Sequence, residues 1–244
     1  MMKKSKTRLF VDKKISQNLI VYIKNKQHHF LKNVLRVKIN DQINIFDGYS
    51  GEWCSIISSI NRDNIVLRVT HKINEFVKSN EIWLIFAPLK QNRMNILIQK
   101  ATEIGVTKII PCKTEYTNAK NLNLKNLYLN AVEAAEQSER LDVPDIEKQI
   151  DLKSLMNTWP DDRILIYCNE KLKTKKGIIE SINEFKKENK KWAILIGPEG
   201  GFSEFENELI LKNNNVLNVS LGKTILRSDT AAIVALFCLK EIIF

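Results

Sequence analysis

The feature that most constrains this chain is a regular alternation of apolar and amphipathic segments in its C-terminal two thirds. The run Ile82–Ala87 is continuously apolar, and Gln91–Ile104 then repeats apolar residues at helical spacing. Gly105 follows at a position suited to end a helix. Thr107–Cys112 is the next apolar run. A strand, a helix and a strand in this order predict a βαβ unit, and therefore a parallel sheet.

The alternation continues to the end of the chain. Further helices are predicted over Leu124–Glu139, Lys175–Glu188, Ser203–Asn213 and Asp229–Ile243. Further strands are predicted over Arg163–Cys168, Lys191–Ile196 and Val216–Ser220. These strands are apolar on both faces, as is typical of a sheet covered by helices on each side. We therefore expect residues 81–244 to form one α/β domain.

The first 70 residues follow a different pattern of short strands. The predicted strands are Arg8–Val11, Leu19–Ile23, Gln42–Phe46, Glu52–Ile60 and Ile65–Val69. Asp47-Gly48 and Ser50-Gly51 supply turns between two of them, and Gln27–Arg36 has apolar residues at helical spacing. Short strands with one helix indicate a small β-barrel. We predict this barrel over residues 1–72 and a polar linker over residues 73–80.

A glycine-rich loop, Gly197–Gly201, follows one of the predicted strands of the α/β domain. Ligands bind at this end of the strands in open α/β sheets. Three glycines within five residues allow the backbone to approach a ligand closely and to adopt positive φ. Ser203 and Glu206 then form the sequence of a capping box that begins the next helix. An ordinary tight turn explains the same residues, and the loop matches neither the dinucleotide nor the phosphate-loop motif.

A second loop, Leu221–Arg227, follows the last predicted strand. A glycine turn leads to Arg227, and the nearly all-apolar helix Ala231–Leu239 follows, which we expect to be buried. Two interpretations of Arg227 remain open. It holds negative charge in a functional site, or it braces the structure through a salt bridge.

Composition narrows the classes of function. The formal charge of +10 indicates attraction to a polyanion such as nucleic acid, although Lys and Asn are abundant throughout and also fit a compositional bias. No run approaches the roughly 18 apolar residues of a membrane span, so we expect a cytoplasmic protein. The four cysteines form no C-x-x-C pair and the histidines complete no zinc spacing, so we expect buried thiols and no metal.

Several motifs together resemble one family. They are Gly197–Gly201, Leu221–Ala231, Lys100–Val106, Glu133–Ser138 with Arg140 and Pro144, and the N-terminal His28–Leu31, Val34–Arg36 and Phe46–Gly48. With these motifs in this order, almost the whole chain resembles the bacterial 16S ribosomal RNA uracil-N3 methyltransferases, the RsmE family of the SPOUT class. Ser228-Asp229 departs from the Thr and Glu more common in the family, but the pair keeps a hydroxyl and a carboxylate.

The resemblance implies a fold, a cofactor and partners. The implied fold is α/β, with an N-terminal PUA-like β-barrel that binds RNA and a C-terminal SPOUT domain with a deep trefoil knot. The cofactor is S-adenosyl-L-methionine, and the partners are 16S ribosomal RNA or the small ribosomal subunit and a second copy of the chain. The implied cofactor-binding residues are Asn169, Glu170, Ile196, Gly197, Pro198, Glu199, Gly200, Gly201, Leu221, Gly222, Ile225 and Leu226.

The remaining candidates concern catalysis and RNA. Arg227 is the catalytic candidate, because a permanent cation can stabilise a uracil ring that has lost its N3 proton. The RNA-contact candidates are Arg8, His29, Arg36, Gln137 and Arg140. As single charges, the arginines are indistinguishable from a solvated basic face. Two other functions stay open: a related knotted methyltransferase acting on tRNA or ribose, and a non-catalytic RNA-binding protein of ribosome assembly.

Overall fold

The structure is a computed structural model that describes residues 5–117, 122–170, 172, 177–185 and 191–243. The chain separates into two compact units. The first contains the residues up to Ser79 together with Ala135–Val143, and the second contains Asn80–Ala134 and the residues from Pro144 onward. The first unit is therefore discontinuous in sequence.

The first unit is built on a five-stranded sheet in the order β1-β3-β4-β5-β2. Its strands are β1 (Arg8–Phe10), β2 (Ile20–Ile23), β3 (Gln42–Phe46), β4 (Glu52–Ile60) and β5 (Ile65–Asn74). Strand β1 is parallel to β3, and the other neighbours are antiparallel. Leu9, Ile43, Ile57 and Leu67 lie in its fully buried core. The predictions for β3 and β4 are confirmed at both ends.

Strands β1 and β2 are each one residue shorter than predicted, and two other elements of this unit differ more. Strand β5 continues to Asn74, past the start of the predicted linker, because its far half pairs with the beginning of β4 across bulges. The predicted helix over Gln27–Arg36 is an α-helix, α1 (Asn25–His29), followed directly by a π-helical turn, Phe30–Val34. The wider turn accompanies the complete burial of Leu31 in the core.

The second unit is a parallel sheet in the order β12-β10-β11-β6-β7-β8, with β9 also paired to β7. The strands are β6 (Ile82–Phe86), β7 (Lys108–Lys113), β8 (Asp145–Ile146), β9 (Ile150–Asp151), β10 (Arg163–Cys168), β11 (Lys191–Ile196) and β12 (Val216–Val219). The helices are α2 (Gln91–Ile104), α3 (Leu124–Gln137), α4 (Leu152–Asn157), α5 (Ile178–Phe185), α6 (Glu204–Leu211) and α7 (Ser228–Ile243). Helix α3 begins in this unit, and its last residues belong to the first unit.

The predicted parallel sheet is confirmed, since every strand pair of the second unit is parallel. The predicted bounds of α2, β10 and β11 are observed without change. Of the predicted helix Lys175–Glu188, the structure describes α5 as Ile178–Phe185, and the first two and last three predicted residues lie outside the described part. Helix α4 was not predicted.

Strand order brings three loops together. Strand β11 lies between β6 and β10, and β12 lies on the other side of β10. Because neighbouring strands are parallel, the loops that follow β10, β11 and β12 leave the sheet at the same end.

Among the described residues, no helix is long and apolar enough to cross a membrane. The four cysteines are all unpaired, and Cys54 and Cys112 are buried.

Candidate active site

A cleft opens at the carboxyl ends of β10, β11 and β12. It encloses about 750 Å³ of empty space, including the part open to solvent. Its walls come from the loops that follow these three strands. The prediction that the three loops share one end of the sheet is confirmed.

Most of the residues singled out in the sequence line this cleft. They are Asn169, Glu170, Ile196, Gly197, Pro198, Gly201, Leu221, Gly222, Ile225 and Leu226. Glu199, Gly200 and Arg227 are not part of its lining. Lining residues that the sequence did not assign to cofactor binding include Tyr167, Phe202, Asn207, Ser220 and Ser228. Most of these lie within a residue or two of a recognised loop, and Asn207 faces the cleft from α6.

The glycines of the first loop serve two different purposes. Gly201 has φ +71°, a left-handed conformation in which a side chain is strained, and a Cβ there would lie 3.0 Å from Glu170 Oε1. Gly197 does not have positive φ, but a Cβ on it would lie 2.6 Å from Cε2 of Phe202. At Gly200 the nearest atom would be the Cβ of Tyr116, at 3.3 Å. The expectation of positive φ is thus correct in this loop only for Gly201; close packing explains the other two.

The helix after this loop begins with the predicted capping box. The Glu206 backbone N–H donates to Ser203 Oγ at 3.3 Å, and the Ser203 backbone N–H donates to the Glu206 carboxylate at 3.0 Å. The same carboxylate accepts the backbone N–H of Glu115 at 2.8 Å. Glu206 therefore fixes the beginning of α6 and also holds the loop after β7 next to the glycine loop.

A hydrogen bond links the first glycine-containing loop to the residue that directly follows the second. Ser228 Oγ donates to the carbonyl of Gly197 at 3.0 Å. Arg227 stands directly before Ser228 and directly after Leu226, which lines the cleft. Its side chain is exposed, and within the described part of the chain its guanidinium makes no hydrogen bond or ion pair. A bracing role for Arg227 therefore has no support in this geometry.

Burial keeps two ionisable groups of the cleft wall, Cys168 and Tyr167, in their neutral forms. Burial raises the pKa of the Cys168 thiol to about 12. Burial, followed by the negative charge of Glu170, also raises the pKa of Tyr167, whose hydroxyl is hydrogen-bonded to Asn207. Glu199 forms an ion pair with Arg93 of α2. A covalent route through the Cys168 thiolate is therefore disfavoured, and the walls suit a polar ligand held by backbone and neutral groups.

Two of the predicted RNA contacts have structural roles inside the first unit. Arg8 donates to Glu52 at 2.8 Å and to the carbonyl oxygens of Ala135 and Arg140 at 3.2 and 3.0 Å. Arg140 forms an ion pair with Asp142 at 2.9 Å and is nearly buried. Because these guanidinium groups are engaged within the protein and away from solvent, the geometry does not support their predicted role in RNA binding.

The other three RNA candidates, His29, Arg36 and Gln137, are exposed. The charge of the chain is concentrated in the same region. Residues 1–79 contain 15 Lys and Arg against 6 Asp and Glu, which gives +9 of the chain's formal +10. A polyanion would therefore be attracted to this part of the chain rather than to the α/β domain.

Among the described residues, no cluster of His, Cys, Asp and Glu could hold a metal ion.

The chain thus combines a small basic β domain with a parallel α/β domain that has a cleft at the carboxyl ends of its strands. The family described as "RNA methyltransferase domain" matches residues 77–240, and the family described as "RNA methyltransferase PUA domain" matches residues 23–70. Together these matches define the class of the protein and confirm the predicted pairing of a PUA-like domain with an α/β methyltransferase domain.

Within that class, the chain belongs to the ribosomal RNA small subunit methyltransferase E family, as the resemblance predicted. The protein of that name from Rickettsia conorii is 33% identical over 230 residues, covering 94% of this chain and 93% of the relative. The one from Bacillus subtilis is 28% identical over 228 residues, covering 88% and 87%.

Two solved structures have the same fold. The methyltransferase E of Neisseria gonorrhoeae, bound to S-adenosyl methionine, is 24% identical with a TM-score of 0.86, covering 96% of this chain and 97% of that one. A Legionella pneumophila protein described as a methyltransferase, in complex with SAM, is 25% identical with a TM-score of 0.86, covering 98% of both chains. The trefoil knot stays a prediction.

Proposed function

We propose that this protein transfers a methyl group from S-adenosylmethionine to N3 of a specific uridine in 16S ribosomal RNA. The observation that carries the proposal is the convergence, on one cleft, of the three loops that the family resemblance assigns to the cofactor. The names of the relatives support the ribosomal substrate, and the two structures solved with S-adenosylmethionine support the cofactor.

The glycines of the first loop shape the wall of the cleft in which the cofactor would bind. At Gly197 and Gly201 a Cβ would meet Phe202 and Glu170, which also line the cleft, so glycine lets the loop pack directly against these two side chains. We propose that backbone groups of residues 196–198, of Gly201 and of residues 221–226 hold the cofactor, with Asn169 and Glu170 as the third wall. When bound, S-adenosylmethionine supplies an electrophilic methyl group on a sulfonium centre.

The protein's own contribution is positioning and charge stabilisation. Holding donor and acceptor in line removes much of the entropic barrier of a two-body reaction. The target N3 carries a proton, and negative charge spreads onto the ring oxygens as that proton leaves. We propose that Arg227 stabilises this charge, because a guanidinium stays protonated at any working pH. Leu226 and Ser228, which precede and follow Arg227 in the chain, both line the cleft. Arg227 therefore lies at the rim of the cleft.

The first unit is proposed to bind the RNA. Its charge of +9 over residues 1–79 gives long-range attraction to phosphates. His29, Arg36 and Gln137 are exposed and remain proposed contacts. Since a base inside a duplex is inaccessible, the target uridine must be unpaired or flipped out of its stack.

A homodimer and a cytoplasmic location complete the proposal. Helix α7 buries Ala232, Leu236 and Leu239 against the second unit, yet Phe237 on the same helix is 55% exposed. An exposed aromatic side chain on an apolar helix is a favourable contact for a second copy.

Nucleoside mass spectrometry of 16S ribosomal RNA from a deletion strain tests the function. The strain should lack one 3-methyluridine, and the wild-type gene should restore it. Loss of a methyl group from tRNA or from a ribose would assign the related activities instead. Calorimetric titration with S-adenosylmethionine that gave no specific heat would favour a non-catalytic assembly protein.

A further inference from the structure

The outward face of the first unit's sheet carries an unusual group of side chains at one edge. In antiparallel sheets, directly paired residues lie on the same face. Tyr22 of β2 pairs with Val66 of β5, and Arg68 pairs with Ile20 on one side and with Ile56 of β4 on the other. We call these five residues, Ile20, Tyr22, Ile56, Val66 and Arg68, the Tyr22 face.

The Tyr22 face is open to solvent. Tyr22 is 60% exposed, Ile20 is also exposed, and their neighbours Val21 and Ile23 are buried in the core. The strand alternation therefore fixes the outward direction of Tyr22. A large aromatic ring held on a sheet can stack with an unpaired base, as aromatic side chains do on other RNA-binding sheets.

Arg68 carries a positive charge that no other described residue pairs with. It is exposed, lies between two isoleucines in the sheet, and within the described residues makes no ion pair or side-chain hydrogen bond. Tyr22 and Arg68 are diagonal neighbours across β2 and β5, which at roughly 7–8 Å places a cation beside the ring. A base and its phosphate require this combination of a flat apolar surface and an adjacent positive charge.

We propose that the Tyr22 face binds a single-stranded segment of ribosomal RNA, with a base stacked on Tyr22 and a phosphate held by Arg68. The inference rests on the proposed function, since it supposes an RNA substrate. Charge favours RNA as the ligand, because the Tyr22 face lies within residues 1–79, which carry +9 of the chain's formal charge of +10. Pairing of β2 with a strand of a second copy is less favourable, since this edge strand has four residues and Lys24 follows directly.

The test measures binding of a 16S ribosomal RNA transcript by the full-length protein. Tyr22→Thr removes the ring but keeps a β-branched residue suited to a strand. It should weaken binding by about 5- to 100-fold, as loss of one stacked base does. Tyr22→Phe should bind normally, since stacking needs the ring and not the hydroxyl. Arg68→Gln should lower the slope of log affinity against log salt by about one.

Tyr49 offers a matched control, because it is 80% exposed in the same unit but lies in the turn between β3 and β4. Tyr49→Thr should leave affinity unchanged. Equal affinity of wild type and Tyr22→Thr, or an equal loss in Tyr49→Thr, would overturn the proposal. So would normal transcript binding with weakened binding to isolated small subunits, which would indicate a protein contact. If the wild type neither bound nor methylated ribosomal RNA, the proposed function itself would fail.

Discussion

Arg8 and Glu52 are 44 residues apart in sequence and form an ion pair at 2.8 Å, with their side chains only 11% and 7% exposed. Glu52 also accepts hydrogen bonds from the side chains of Asn44 and Asn74. Burial of Glu52 disfavours its charged form, but the hydrogen bonds, led by that of Arg8, outweigh this and lower its pKa. The carboxylate thus joins β1, β3, β4 and β5.

The pKa of Glu52 makes the first unit sensitive to acid. A carboxyl group with a lowered folded-state pKa stabilises the fold fully above its unfolded value, near 4.5, and loses that contribution as pH falls through the folded value. Glu52→Gln should cost about 2 kcal/mol at pH 7, because it weakens the pairing of a nearly buried guanidinium. It should also flatten the acid decline.

Thermal melts between pH 7 and pH 3 measure both effects of Glu52→Gln. Glu75→Gln is the control, because Glu75 forms only an exposed pair with Lys72 and should change stability by less than about 0.5 kcal/mol. An acid decline that was equally steep in wild type and in Glu52→Gln would show that another group governs it.

Adding a methyl group to the glycine loop should impair cofactor binding. Gly197→Ala places a Cβ 2.6 Å from the Phe202 ring, so the loop or the ring must move. Gly201→Ala adds strain at φ +71° and crowds Glu170. Each should weaken S-adenosylmethionine binding at least about tenfold in calorimetry. Gly177→Ala is the control, since a Cβ there meets no atom within 4 Å. Unchanged affinity in folded variants would remove this loop from the site.

Arg227 should be needed for the rate rather than for stability. Arg227→Ala should lower single-turnover methylation at saturating RNA on the order of a hundredfold, with near-normal cofactor affinity. Arg227→Lys keeps the charge but loses the planar fork, and it should also be slow. Melting temperatures should not change, because the guanidinium has no partner among the described residues. Weak RNA binding with a normal saturated rate would assign Arg227 to a phosphate contact.

Phe237 should matter for self-association. The wild type should sediment at micromolar concentration as a dimer of the 28.3 kDa chain. Phe237→Glu puts a charge on the exposed side of α7 and should shift the equilibrium to monomer. Phe205→Glu is the matched control, because Phe205 is also exposed but lies on α6. A monomeric wild type would contradict the proposed dimer.

Local patterns account for the parts of the fold that the sequence predicted well. Ser203 and Glu206 are three residues apart, so their capping box can be recognised without tertiary knowledge, and it is observed. Gly105 ends α2 in the left-handed conformation for a similarly local reason. The loops of the cleft were found in the same way, since a parallel sheet places them at one end.

Contacts between distant residues account for what was missed. Nothing near Arg8 in sequence shows that Glu52 and three carbonyl groups surround its guanidinium, so the sequence alone predicts it as an RNA-contact candidate. The same holds for the extension of β5, which depends on the bulged pairing with β4. Periodicity also cannot distinguish Gly201, where the backbone has positive φ, from Gly197, where a Cβ would collide with the Phe202 ring.

Because the first unit consists of two separate stretches of sequence, a single cut in the gene cannot separate it from the second unit. The Glu136 carboxylate, at the end of α3, accepts the Phe10 backbone N–H at 2.9 Å and the Gln27 amide at 3.0 Å. A truncation that starts at Asn80 keeps this segment but removes its partners, whereas an isolated fragment ending at Ser79 lacks the three carbonyl acceptors that Arg8 uses. Exchange of the first unit between relatives by recombination therefore requires codons 135–143 to be transferred as well, so the two parts are expected to be inherited together.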